Sequence, residues 1–127
     1  MSEVKVAMGT SKIRNFRDLD IWQMGKSITL EIYQMTSEYP DSENYGLVSQ
    51  MRRASVSISS NIAEGFNRFH NSEYRQFLYI ALGSCGELET QIEISHELGY
   101  ISPSIRENII NKITHESRMI RNLIKKL

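Results

Sequence analysis

Glu93-Ile94-Ser95-His96 sets a carboxylate and an imidazole three residues apart, so a helix would present both on one face. Four-helix bundles can hold two metal ions with two such Glu-x-x-His pairs and two further Glu. A second pair is absent here, because Lys112 stands three residues before His115 and Asn67 three before His70. The ligand count falls short, so neither a metal nor a cofactor is expected. Serine is abundant, but none has a histidine in the context of a nucleophile and its base. There is no Gly-rich phosphate loop, nucleophile elbow or paired-His motif. No catalytic residue is assigned.

Arg53, Ser84, Glu87 and Glu116 form a more informative set. Pairing consecutive helices across short loops puts Arg53 level with Ser84 and Cys85, Gln50 level with Glu87, and Cys85 level with Glu116. The four are therefore expected in one buried polar layer. An unpaired buried carboxylate costs several kcal/mol, so Arg53 is expected to pair with Glu87 or Glu116. Its guanidinium suits the task, being forked and always charged. The same two carboxylates could instead build a ligand or proton site.

Basic residues fall in three places. Arg118, Arg121 and Lys125 follow one flank of the last predicted helix. Arg52 is on the back of the second, and Arg68 and Arg75 lie near the loop between the second and third. Phosphate contacts use such residues, and an ordinary solvated helix surface carries them too. Fifteen Lys plus Arg against fifteen Asp plus Glu give zero net charge, which argues against a strongly basic nucleic-acid binder and leaves room for a local patch.

Four helices have to position these groups. Trp22, Gly25, Ile28, Ile32 and Met35 mark the seam of the first, with Asp18 as its N-cap and Tyr39-Pro40 as its end. The second carries Leu47, Met51, Ala54, Ile58, Ile62 and Gly65. Asp41 or Ser42 caps it, and Gly65 closes it in a left-handed conformation. The third starts at a cap on Asn71 or Ser72, runs through Tyr74, Leu78, Ala81, Cys85, Leu88, Ile92 and Ser95, and ends at Gly99. Two glycines in its middle, Gly83 and Gly86, cost helix stability and imply a packing reason. Ser102-Pro103 opens the fourth, whose seam is Ile105, Ile109, Ile113, Ile120, Leu123 and Leu127, with Glu116 inside it.

The backs of the second and third helices are unusual. Val56, Ser59, Ser60 and Ala63 on one, and Tyr79 and Gly83 on the other, are small or uncharged where a solvated helix would carry Lys and Glu. The pattern fits a second packing surface, the face of an oligomer, and fits equally a Ser-rich exposed face of no significance.

With an apolar fraction of 40%, the 127 residues suffice for one core. The fold expected is all-α: a loose tail over residues 1–15, then an antiparallel up-down-up-down four-helix bundle over 16–127. A single cysteine, no apolar leader and no run near the ~20 apolar residues of a membrane span suit a soluble cytoplasmic protein.

Gly46-Leu47-Val48-Ser49-Gln50-Met51-Arg52-Arg53-Ala54, followed by Ser57 and Asn61-Ile62-Ala63-Glu64-Gly65, resembles the central motif of the four helix bundle protein family, also called the 23S ribosomal-RNA intervening-sequence proteins. Phe16 to Gln23 resembles the family's opening. Phe77 to Ser84 and Glu87 to Gln91 resemble its third helix, and Leu98 to Ile101 its last turn. The likeness spans residues 16 to 102, and the fourth helix agrees only in pattern. The resemblance implies a bacterial homopentamer. Some genes of the family lie inside intervening sequences of ribosomal RNA genes. Relatives called accessory variability determinants bind nucleic acid and the reverse transcriptase of diversity-generating retroelements.

The expected function is therefore a non-enzymatic oligomeric scaffold, an adaptor associated with RNA or with a reverse transcriptase. The alternatives are a metal- or small-ligand-binding bundle enzyme and a purely structural oligomer.

Overall fold

The computed structural model describes residues 13–127, and residues 1–12 of the expected tail lie outside them. Four helices form the bundle: α1 (Asp20–Thr36), α2 (Leu47–Phe66), α3 (Asn71–Glu97) and α4 (Pro103–Lys126). No strand occurs among the described residues. Each helix packs on the next, and α4 returns to close against α1.

Cross-helix pairs fix the directions. Thr29 donates to the Ser55 carbonyl at 3.0 Å, while Arg52 reaches back to Thr36, so α1 and α2 run antiparallel. Ser57 and Ser84 bond at 2.8 Å, while Met51, earlier on α2, meets Ser95, later on α3. Arg75 at the start of α3 donates to the Leu127 backbone oxygen at 2.6 Å, and Arg106 at the start of α4 grips Glu93 near the end of α3. The core follows the predicted seams: Ile28, Ile32, Met51, Ile58, Ile62, Leu78, Leu88, Ile92, Ile113 and Ile120 are all buried. Trp22 is only half-buried, stacked edge-on against Phe16 at 5.4 Å.

Several helix ends differ from the sequence reading. Asp18 does not cap α1. Together with Asn15 it closes a capping box around a short 3₁₀ turn, Phe16–Asp18, and α1 starts at Asp20. The first helix stops at Thr36, three residues short of Tyr39. Asp41 and Ser42 belong to a second 3₁₀ turn, and α2 starts only at Leu47. Glu43 supplies the cap there: one carboxylate oxygen accepts the Leu47 N–H at 3.2 Å, and the other accepts the Tyr100 hydroxyl at 2.8 Å. The α3 N-cap position falls on His70 rather than on Asn71 or Ser72.

Gly65 is not left-handed but helical, the penultimate residue of α2. Its value is space, since a Cβ there would lie 2.8 Å from the Phe77 Cβ on α3. Gly99 does take a left-handed φ, 81°, and ends α3. Ser102 caps α4 by accepting the Ile105 N–H at 3.1 Å, with Pro103 at the first helical position. Ile105, expected in the α4 seam, is exposed at the lip of the α1–α4 groove.

Candidate binding surface

The expected polar layer divides in two. Ser84 is buried and bonded to Ser57, and Glu116 is fully buried, but Arg53 and Glu87 are both exposed. The α2–α3 levels are shifted by about one turn, since Ser84 meets Ser57, four residues beyond Arg53, but Arg53, Gln50, Ser57 and Glu87 still line one groove between α2 and α3, about 520 Å³ in volume. The direction around the helix was wrong as well. Ala54 and Ile58 take the inward positions of α2, so Arg53, one residue and about 100° away, points to the flank. Arg53 therefore pairs with neither carboxylate.

Glu116 consequently sits in the core with neither carboxylate oxygen hydrogen-bonded among the described residues. Its slot is made by Gly25: a Cβ on that residue would come 3.1 Å from the Glu116 Oε2 and 3.3 Å from the Ile58 Cγ2. Burial pushes the carboxyl up to about 8, so the protonated form predominates at neutral pH. Nearby Cys85 is sealed as well, and burial pushes its thiol up to about 12, which removes it as a nucleophile at neutral pH.

The basic candidates are unequal. Arg52 is held on α1, donating to the Thr36 hydroxyl at 2.9 Å and lying over the Tyr33 ring. Arg68 pairs with Glu64 at 2.8 Å and covers the Phe77 ring. Arg75 is bound to Leu127. Arg118, Arg121 and Lys125 are all exposed along α4, and Arg121 lies close enough to Glu89 on α3 for the two charges to interact. Glu93, the acid of the lone Glu-x-x-His pair, is clamped by the Arg106 guanidinium, which lowers its pKa. No group of three His, Cys, Asp or Glu able to hold a metal comes together among the described residues.

The expected oligomer face is partly present at the surface. Val56 (40% exposed), Tyr79 (59%), Ser60 and Gly83 are outward. Ser59 and Ala63 are half-buried, and the Ser59 Cβ packs towards Gly25 on α1. Gly83 and Gly86 have no packing reason among the described residues, because a Cβ on either would meet nothing of theirs within 4 Å. Ile80 (51% exposed) extends the apolar surface and was missed by the sequence reading. It lies beside seam residue Ala81, and periodicity alone does not separate the edge of a seam from an outer face. Fully exposed Tyr45 was missed too, because it precedes α2 and belongs to no periodic segment.

A solved structure gives the fold an independent parallel: a protein of unknown function from the S23 ribosomal protein family of Bacteroides thetaiotaomicron. It is 22% identical, with a TM-score of 0.75 over 83% of this chain and 98% of that one. No curated protein matches the chain. A family model described as 23S rRNA-intervening sequence protein matches residues 17–122.

Proposed function

Because this chain belongs to the 23S rRNA-intervening sequence protein family, we propose that it acts without catalysis, as a scaffold that assembles with copies of itself. The observation that carries this reading is the outer α2–α3 surface. Val56, Tyr79 and Ile80 are exposed there, and Gly83 and Gly86 leave the α3 backbone bare, with nothing among the described residues to fill the space. Apolar area of this kind on a monomer is usually an interface, and bare helix backbone invites close approach. The family resemblance implies a pentamer. Light scattering at micromolar concentration is expected to give a multiple of the 14.7 kDa chain mass, and a monomer mass would overturn the reading. Val56→Glu and Ser60→Glu are expected to dissociate the assembly without unfolding the chain.

A second reading adds RNA as a partner, on the strength of the exposed flank Arg118, Arg121 and Lys125. With zero net charge over the whole chain, binding through such a flank is weak and falls steeply with salt. An Arg118→Ala/Arg121→Ala/Lys125→Ala variant with unchanged RNA affinity would remove that flank from the account. None of the helices, within the described residues, is long and apolar enough to cross a membrane. A cytoplasmic location is part of the same proposal.

A further inference from the structure

We propose that Met24, His115 and Met119 form a site for a soft monovalent metal ion, Cu(I), which bridges α1 and α4. The site is independent of the assembly proposed above. All three side chains line one groove between these helices, about 560 Å³ in volume. His115 and Met119 are four residues apart on α4, so one face of that helix carries both. Contacts across the seam set the height of Met24 against them. Glu116 lies against Gly25, while Lys112, a turn earlier on α4, reaches Ser27 and Glu31, further along α1. The two helices therefore run antiparallel here. Met24, one residue before Gly25, stands level with Ser117, between His115 and Met119.

The donor set selects the metal. Two thioether sulfurs and one imidazole nitrogen hold Cu(I) well, whereas Mg(II) and Ca(II) want oxygen and Zn(II) wants thiolate, imidazole or carboxylate. Cu(I) has a filled d shell and accepts three ligands, so side chains from two helices can satisfy it without an octahedral frame. Met24 and Met119 are half-buried and packed on the core, which restricts their long side chains. His115 is exposed and leaves the ion a way in. Charge in the groove does not oppose a cation. Its one lysine, Lys112, is taken by Glu31 and the Ser27 hydroxyl. Asp20, four residues before Met24 on the same face of α1, lines the groove with a carboxylate. The Glu-x-x-His template passes over this set, because thioethers are not among its ligands.

The test titrates the full chain with Cu(I), under anaerobic reducing conditions and in competition with bicinchoninate, and with Ag(I), a redox-inert analogue, in chloride-free buffer. One ion per chain is expected, with shifts of the His115 ring signals and of the Met24 and Met119 methyl signals in NMR spectra. Met24→Leu, Met119→Leu and His115→Gln change volume little at half-buried or exposed positions, so each is expected to keep the fold. Each is expected to weaken binding on the order of a hundredfold, since even an outer-shell partner of a metal ligand is worth roughly ten- to a hundredfold. Ag(I) is expected to raise the Tm of the parent and to leave that of the Met24→Leu/Met119→Leu variant unchanged. A parent chain that leaves all Cu(I) on the chelator would overturn the proposal. So would variants that bind like the parent, or Zn(II) held as tightly as Cu(I). Binding that is lost only on Cys85→Ala would assign the ion to the buried thiol and overturn it too.

Discussion

Glu116 on α4 stands in the space that Gly25 on α1 leaves open, its Oε2 lying 3.1 Å from where a Cβ of residue 25 would be. The glycine gives the carboxyl room and no hydrogen bond. The chain therefore folds around an acid that must keep its proton, and the cost falls on stability.

The first expectation is a stability that declines with pH. The Glu116 carboxyl moves from 4.5 to about 8 on folding, so the folded state binds the proton more tightly than the unfolded one. Its contribution is complete below pH 4.5 and is lost as pH rises through about 8. At 1.36 kcal/mol per unit the loss is roughly 3–5 kcal/mol over that window. Glu116→Gln cannot ionise, so its advantage over the parent in chemical denaturation should grow by that amount between pH 4.5 and 8. A constant difference across the window would show that Glu116 does not carry the effect. Glu116→Met, which removes the unpaired polar atoms, should raise the Tm at pH 8.

Gly25→Ala should cost about 1–3 kcal/mol, since overpacking a filled core exceeds the gain in helix propensity. The new methyl would press on Glu116 Oε2, Ile58 Cγ2 and Ser59 Cβ. Combining it with Glu116→Ala should give a loss smaller than the sum of the two, because the methyl then has somewhere to go. Strict additivity in a double-mutant cycle would separate the two residues.

Gly65 and Gly83 should respond oppositely to alanine. At Gly65 the methyl would stand 2.8 Å from the Phe77 Cβ and 3.2 Å from the Tyr74 carbonyl oxygen, both fixed in α3. A loss above about 2 kcal/mol follows, because backbone must move. At Gly83 the methyl enters open space, so the isolated chain should gain about 0.5–1 kcal/mol from helix propensity. If Gly83 lies in the interface, the same change should weaken assembly while raising the Tm of the monomer.

Ser102→Ala should cost about 1 kcal/mol, the usual value for a lost N-cap, since it strands the Ile105 N–H at the start of α4. Urea midpoints for the variant and the parent give the measurement. Ser104→Ala, two residues on and exposed, should be nearly silent.

The sequence was most legible where a local rule has one solution. Ser102-Pro103 can hardly be other than a helix start, Gly99 takes the left-handed turn, and the repeat around Ile113 and Ile120 carries Glu116 into the core. It was least legible where a side chain is captured from afar. Glu43 caps α2 because Tyr100, 57 residues on, holds its other oxygen. Gly65 looks like a helix stop, and only the Phe77 packing shows it as a point of close approach. Arg53 was placed about a turn from its level and at the wrong angle, because loop length fixes height along a bundle only to within a turn and says nothing of rotation about the helix axis.

Cys85 is the chain's only thiol, and it lies in the middle of α3 with no exposed surface. An aromatic disulfide reagent can reach it only when the helices part, so the rate of its modification counts those openings one by one. The protein thus carries its own stopwatch for breathing, without an engineered label. If the assembly slows that clock as protein concentration rises, the openings that expose Cys85 pass through the separated chain.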